Sequence, residues 1–296
     1  MLEFNGTTIL VVTAHPDDLE WCFGGTIYQL ARANRVIHII ATAGERGGGA
    51  PGGEAEPAST RTREQWAAAE ITGVRETIFF DLPDGDLAYG SLTVLRTRLY
   101  RAMRIYRPEV LITFDPENRC DPHPDHITAG RTAFEAACLH PCPAYFPDGS
   151  ARADAAPPAH YLFFGSWLPE PFLVNDVTAE FPRKLEALAC HKSQVGRAWE
   201  RIEADLRAVA EENGARIGAR YGEAYRRLAR VHGVLRPTTE EAFPRANGPQ
   251  ARKPRSPRGG SAPPAACPDS LDGTGNFSVR RRGSGRRPRM VKPDRT

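Results

Sequence analysis

Apolar residues fall into two rhythms along this chain. Residues 7–14 (Thr-Thr-Ile-Leu-Val-Val-Thr-Ala) form an unbroken, largely β-branched run, the pattern of a strand buried on both faces of a sheet. Similar short runs stand at Val36–Thr42, Thr77–Phe80 and Val110–Phe114. Between them the spacing turns helical, over about Leu19–Ala33, Arg61–Thr72, Leu92–Tyr106 and His126–Leu139. Glycines dominate 44–53, which reads as a loop. Strands alternating with helices predict an α/β fold, a doubly wound and mostly parallel sheet with helices on both faces. Past a Pro-rich stretch (140–158), strands are expected at 160–165 and 171–176, then two or three amphipathic helices from Phe181 to Val234. From Pro237 onward Pro, Gly, Ser and Arg dominate and periodicity vanishes. The expected division is one domain over 1–236 and a disordered basic tail over 237–296.

Charge sharpens that division. The whole chain of 296 residues carries a formal charge of +3, but Arg245–Thr296 holds 13 Lys/Arg against 3 Asp/Glu, a net of +10. The remainder is therefore −7 and mildly acidic. A basic tail on an acidic body argues against a nucleic-acid-binding fold, and leaves the tail as the only segment with that potential. The six cysteines make no C-x-x-C pair and are scattered, the usage of free thiols in a reducing compartment. The apolar run near the N-terminus is too short for a signal peptide or a membrane span. A cytoplasmic protein without a membrane partner is expected; homo-oligomerisation stays open.

The chemistry gathers where strands end. The first strand leads into Ala14-His15-Pro16-Asp17-Asp18, and ligands of open α/β sheets bind beyond the carboxyl ends of the strands. His15 and Asp18 project from one turn if a helix starts here, within reach of one cation. Asp17 would point elsewhere, and a carboxylate beside a metal but not bound to it is where a base for water belongs. The strand Val110–Phe114 is followed by His123-Pro124-Asp125-His126, again just before a helix. A His, Asp, His set with room for water is what a catalytic zinc site needs, whereas a structural site is closed by four ligands. Two histidines and a carboxylate also suit Fe(II) in oxygen chemistry. A single His-x-x-Asp at a helix start is commonly just a cap with a neighbouring histidine. Two such groups at two strand ends make coincidence the weaker account.

These residues resemble a known family. Ala14-His15-Pro16-Asp17-Asp18-Leu19-Glu20 with Gly24-Gly25-Thr26 is similar to the opening signature of the PIG-L/LmbE-like deacetylases, and His123-Pro124-Asp125-His126 to their second motif. Gly44-Glu45-Arg46-Gly47, Arg63-Glu64, Leu82-Pro83-Asp84 and His191-Lys192-Ser193-Gln194 extend the resemblance over about Thr8–Gln194. Glu20 follows Leu19 instead of standing directly after the paired Asp, as in the branch resembling bacillithiol-pathway deacetylases, and Cys22 stands where Gly is frequent.

The resemblance implies a Rossmann-like fold and one zinc per chain (Zn2+) held by His15, Asp18 and His126. It also implies Asp17 as general base and a protonated His123 sharing the oxyanion charge. The substrate it implies is a small N-acetylglucosamine-containing amino sugar. Arg46, Arg63 and His191 are the expected substrate contacts. An amidase acting on a thiol-sugar conjugate is the near alternative, and a nucleic-acid- or metal-binding protein acting through the tail the distant one.

Overall fold

The computed structural model describes residues 2–47, 57–118, 120–147, 155–165, 172–237 and 278–281. The expected glycine loop beyond Gly47 and most of the tail lie outside these residues. Five strands form a parallel core: β1 (Thr8–Thr13), β2 (Arg35–Thr42), β3 (Glu76–Leu82), β4 (Val110–Phe114) and β5 (His160–Phe164). Their order across the sheet is β3-β2-β1-β4-β5. The chain therefore reverses its winding between β1 and β4, the crevice where such sheets bind ligands. Ile9, Leu10, Val11 and Val12 of β1 have no exposed surface, as a central strand covered on both faces requires.

Helices α1 (Asp18–Ala31), α2 (Ala58–Thr72), α3 (Leu92–Tyr106) and α4 (Pro124–Leu139) connect the core strands. Helix α5 (Phe181–Leu188) packs with α1 and α2, and α3 packs on α4, so both faces of the sheet are covered. The short α6 (Lys192–Val195) and the longer α7 (Trp199–Ala215) follow.

Three antiparallel strands depart from the expected helices and tail. β6 (Leu173–Asp176) matches the expected strand, but β7 (Gly222–Val231) runs through a stretch expected to be helical and pairs antiparallel with β5 and β6. Its sequence, Gly-Glu-Ala-Tyr-Arg-Arg-Leu-Ala-Arg-Val, has a helix-like composition. The free edge of β5 overrides that local preference, because β propensity is decided by the partner a strand packs against. β8 (Val234–Pro237) closes a hairpin on β7, and β9 (Ser278–Arg281) pairs antiparallel with β3. The tail thus contributes one strand where none was expected.

One long-range contact fixes α1. The helix breaks at Phe23 (φ −141°, ψ 18°), and past the break the N–H groups of Gly25 and Thr26 donate to the Glu223 carboxylate at 3.0 and 2.7 Å. Glu223 acts as an acceptor at the start of the second helical segment, offsetting donors that have no intrahelical partner. Lys184 of α5 pairs with the same carboxylate at 2.8 Å, both side chains almost fully buried. A Cβ at Gly25 would lie 3.0 Å from Val177 and 3.3 Å from Glu223, so the glycine permits this close approach.

Candidate active site

The two loops that lead out of β1 and β4 face each other across the crevice. In the first, the Asp18 carboxylate turns back on its own loop, and its Oδ2 accepts the N–H groups of Ala14 and His15 at 3.1 and 2.7 Å. That turn forces Asp17 into the left-handed region (φ 83°, ψ −26°). Aspartate tolerates this better than most residues, at a cost of order 1–3 kcal/mol that surrounding contacts must hold. In the second loop, His123 caps α4, its Nδ1 accepting the Asp125 N–H at 3.2 Å, and Pro124 occupies the first helical position. The His126 ring stacks flat on Phe114, with centroids 4.2 Å apart.

Three side chains converge between the loops. His15 Nδ1 lies 3.2 Å from His126 Nε2, which lies 3.3 Å from Asp18 Oδ1, and Asp18 Oδ2 is 3.7 Å from His15 Nδ1. Such separations suit one cation with bonds of about 2.0–2.2 Å to nitrogen and oxygen. The outer ring nitrogens are committed elsewhere. His15 Nε2 faces Asp84 at 3.0 Å and Asp125 at 3.4 Å, and His126 Nδ1 faces Asp121 at 2.7 Å. An imidazole that donates its outer N–H to a carboxylate turns its inner lone pair to the centre, the usual second shell of a metal-binding histidine. Asp125 is itself fixed by the N–H groups of Gly85 (2.7 Å) and Leu87 (3.1 Å). Among the described residues, two groups place one donor atom from each member within 4.8 Å of the others, His15–His123–His126 and His15–Asp84–Asp125. The first adds His123 on one side. The second uses the outer nitrogen of His15.

The field of the site favours a cation. Burial opposes charge on His15, yet hydrogen bonds to Asp125, Asp18 and Asp84 raise its pKa well above the ordinary value. Burial likewise opposes charge on His126, and the Asp18 charge and the Asp121 hydrogen bond push it up to about 9. Burial would raise Asp18, but neighbouring His126 holds it well below the usual carboxylate range.

Asp17 stands apart from the converging atoms. Its side chain is 18% exposed, and burial pushes its carboxyl up to about 6 against the pull of Arg61. Arg61 spans the loop. It donates to Gly44 O at 2.6 Å and Pro16 O at 2.8 Å, with Asp17 Oδ2 at 3.3 Å. Gly44 (φ 65°) is needed here, since a Cβ would sit 2.0 Å from that guanidinium.

The structure therefore brings together His15, Asp17, Asp18, His123 and His126. Arg46 lies at the rim, exposed, with its N–H donating to Asp84 at 2.9 Å. Two expected substrate contacts are not brought in. Arg63 lies exposed on α2 and bonds back to Ser59 and Thr60 of its own helix. His191 has no exposed surface and faces Glu20 at 3.5 Å. His123 is partly buried. Burial first, then the charges of His15 and His126, lower its pKa, and its Nδ1 already accepts a backbone N–H. Sequence reasoning gave no role to Asp84, Asp121 or Asp125; only the His-Pro-Asp spelling and the Leu-Pro-Asp triplet marked two of them.

Comparison with known proteins bears on this geometry. Residues 10–137, which contain both loops, match the family model described as PIG-L: GlcNAc-PI de-N-acetylase. A diacetylchitobiose deacetylase from Thermococcus kodakarensis is 31% identical over 223 residues, covering 74% of this chain and 82% of the relative. The chain belongs to the PIG-L family. Among solved structures, the N,N'-diacetylchitobiose deacetylase from Pyrococcus horikoshii in complex with an inhibitor aligns with a TM-score of 0.67 and 27% identity, over 75% of this chain and 84% of that one. The family scaffold also carries other chemistry: a 4-oxalmesaconate hydratase from Pseudomonas putida is 31% identical over 206 residues, 64% of this chain and 75% of the relative. The deacetylases among the relatives of this PIG-L chain support an enzyme. Among the described residues, no helix is long and apolar enough to cross a membrane.

Proposed function

We propose that this PIG-L chain is a zinc-dependent hydrolase that removes the acetyl group from the amine of a small N-acetylglucosamine-containing molecule. The observation that carries the reading is the convergence of His15 Nδ1, Asp18 and His126 Nε2, with Asp17 beside them and uncommitted to the cluster. His15, Asp18 and His126 would hold the metal, and the two-nitrogen, one-oxygen donor set leaves a position for water. When bound, zinc supplies Lewis-acid charge that lowers the pKa of a water to about 7.

The chain's own residues do the rest. Asp17 accepts the proton of the attacking water, and its partial exposure keeps it open to that water. His123, neutral and protonated at Nε2, offers a hydrogen bond to the carbonyl oxygen as charge builds on it, a preorganised donor that costs no reorganisation. The departing amine takes a proton back from Asp17. Asp84, Asp121 and Asp125 hold the two imidazoles in place, and Arg46 at the rim meets the hydroxyls or acidic aglycone of the sugar.

The test is direct. Purified protein should carry about one zinc per chain and release acetate from a panel of N-acetylglucosamine conjugates, and Asp17→Asn should keep the zinc and lose the release. Zinc without acetate release from any conjugate, together with water addition to an unsaturated dicarboxylate, would replace deacetylation with the hydratase chemistry of the Pseudomonas relative.

A further inference from the structure

Asp17 is useful as a base only if its backbone stays in an unusual conformation, and the side chain that holds its N–H comes from another helix. The N–H donates to Gln65 Oε1 at 3.0 Å. Gln65 Nε2 in turn donates to Glu20 Oε1 at 2.9 Å, and Glu20 Oε2 faces His191 Nε2 at 3.5 Å. Gln65, Glu20 and His191 are all without exposed surface. None touches the converging metal donors, and none is open to a substrate.

The direction of these bonds carries the argument. A carboxylate only accepts, so Glu20 compels Gln65 to present its NH2 group to it and its oxygen to Asp17. Without Glu20 the amide could rotate and oppose NH2 to the Asp17 N–H. Arg61 pins the carbonyl of Pro16 and Gln65 the N–H of Asp17, so the two side chains grip both ends of one peptide group, the one that leads into the left-handed residue.

Resting on the reading of Asp17 as base, we infer that Gln65, oriented by Glu20 with His191 behind it, is a positioning residue that sets the angle at which Asp17 meets the attacking water. This also gives His191 and the Glu20 of the first motif a task, although neither reaches the substrate.

The experiment compares wild type, Asp17→Asn and Gln65→Met, the last of similar length but unable to bridge. Gln65→Met should lower kcat at least about tenfold, because sub-ångström misplacement of a reacting group has effects of this order. KM and zinc content should not move, and the thermal transition should stay cooperative. A role in core packing alone would lower the melting temperature and leave turnover per folded molecule unchanged. Gln65→Asn keeps an amide but is one methylene too short to span both partners, and should give the same split if Gln65→Met does not fold. In the metal-stripped protein, amide exchange at Asp17 should accelerate in either variant while β1 stays protected. Wild-type kcat in a folded variant, with Asp17→Asn inactive, overturns the inference and leaves the deacetylase reading standing. If wild type itself releases no acetate, the functional reading falls, and unchanged exchange at Asp17 then overturns the inference by itself.

Discussion

The loops after β1 and β4 both spell His-Pro-Asp, yet the same three residues do different work in each. In the first loop the aspartate, Asp17, is left-handed, 18% exposed and kept away from the histidine that precedes it. In the second, the matching Asp125 lies in the first turn of α4, has no exposed side-chain surface and reaches across to hold His15 of the other loop. The histidines exchange roles as well: His15 turns its Nδ1 to the converging donors, whereas His123 spends its Nδ1 on a backbone N–H. What separates the two loops is one backbone angle. With φ positive the carboxylate turns toward Arg61 and keeps some exposure; in the helical turn of α4 it points inward and becomes a brace.

The comparison can be broken in order of effect. His126→Ala removes one of the three converging donors and should abolish zinc retention and lower acetate release by about 10³-fold; metal analysis beside the assay checks both. Next come the paired substitutions. Asp17→Asn should cut kcat by roughly 100-fold or more with zinc retained, while Asp125→Asn should weaken zinc affinity by about 10–100-fold and regain most of its turnover in excess zinc. Matching signatures in a zinc titration of the two variants would refute the division of labour.

The smallest effect falls on stability. The first loop rests on Thr13, whose Oγ1 lies 2.9 Å from His38 Nε2 and donates to His15 O at 3.3 Å. Burial lowers the His38 pKa to about 4, with Glu20 and Asp18 pulling it up and His191 adding to the fall. Its folded pKa is below the unfolded value near 6.5, so the unfolded chain takes up the proton first. Stability is then full above pH 6.5 and declines as the pH drops toward 4, by up to about 3 kcal/mol. Urea midpoints at pH 7 and 4.5 should differ more for wild type than for His38→Gln.

Much of this was legible in the sequence, because buried parallel strands are apolar throughout and announce themselves. Val110–Phe114 and Leu92–Tyr106 fall where their spacing places them. The two His-Pro-Asp groups were legible because each sits where a strand has ended and a helix is about to begin. The roles within the His-Pro-Asp repeats were not, since spelling carries no φ. Gln65 was invisible for a related reason: it lies on α2, and only packing brings its amide to Asp17. β7 was misread because its arginines and alanines suit a helix until the edge of β5 offers a partner. Asp121 carried a weak signal, an acidic residue five positions before His126, that means nothing until the ring turns toward it.

The break in α1 has a consequence for the order in which the protein is made. Glu223, which accepts from Gly25 and Thr26, is synthesised 198 residues after Gly25. At about 5–20 residues per second, some 10–40 s pass before the ribosome delivers it. A nascent chain thus holds its first motif for most of its synthesis with the α1 break uncapped, and Lys184, once made, waits a further 39 residues for its counter-charge. Support for the first motif arrives as a late event of biosynthesis, and a chain cut short before β7 would carry both His-Pro-Asp loops and still lack the carboxylate that caps the second segment of α1.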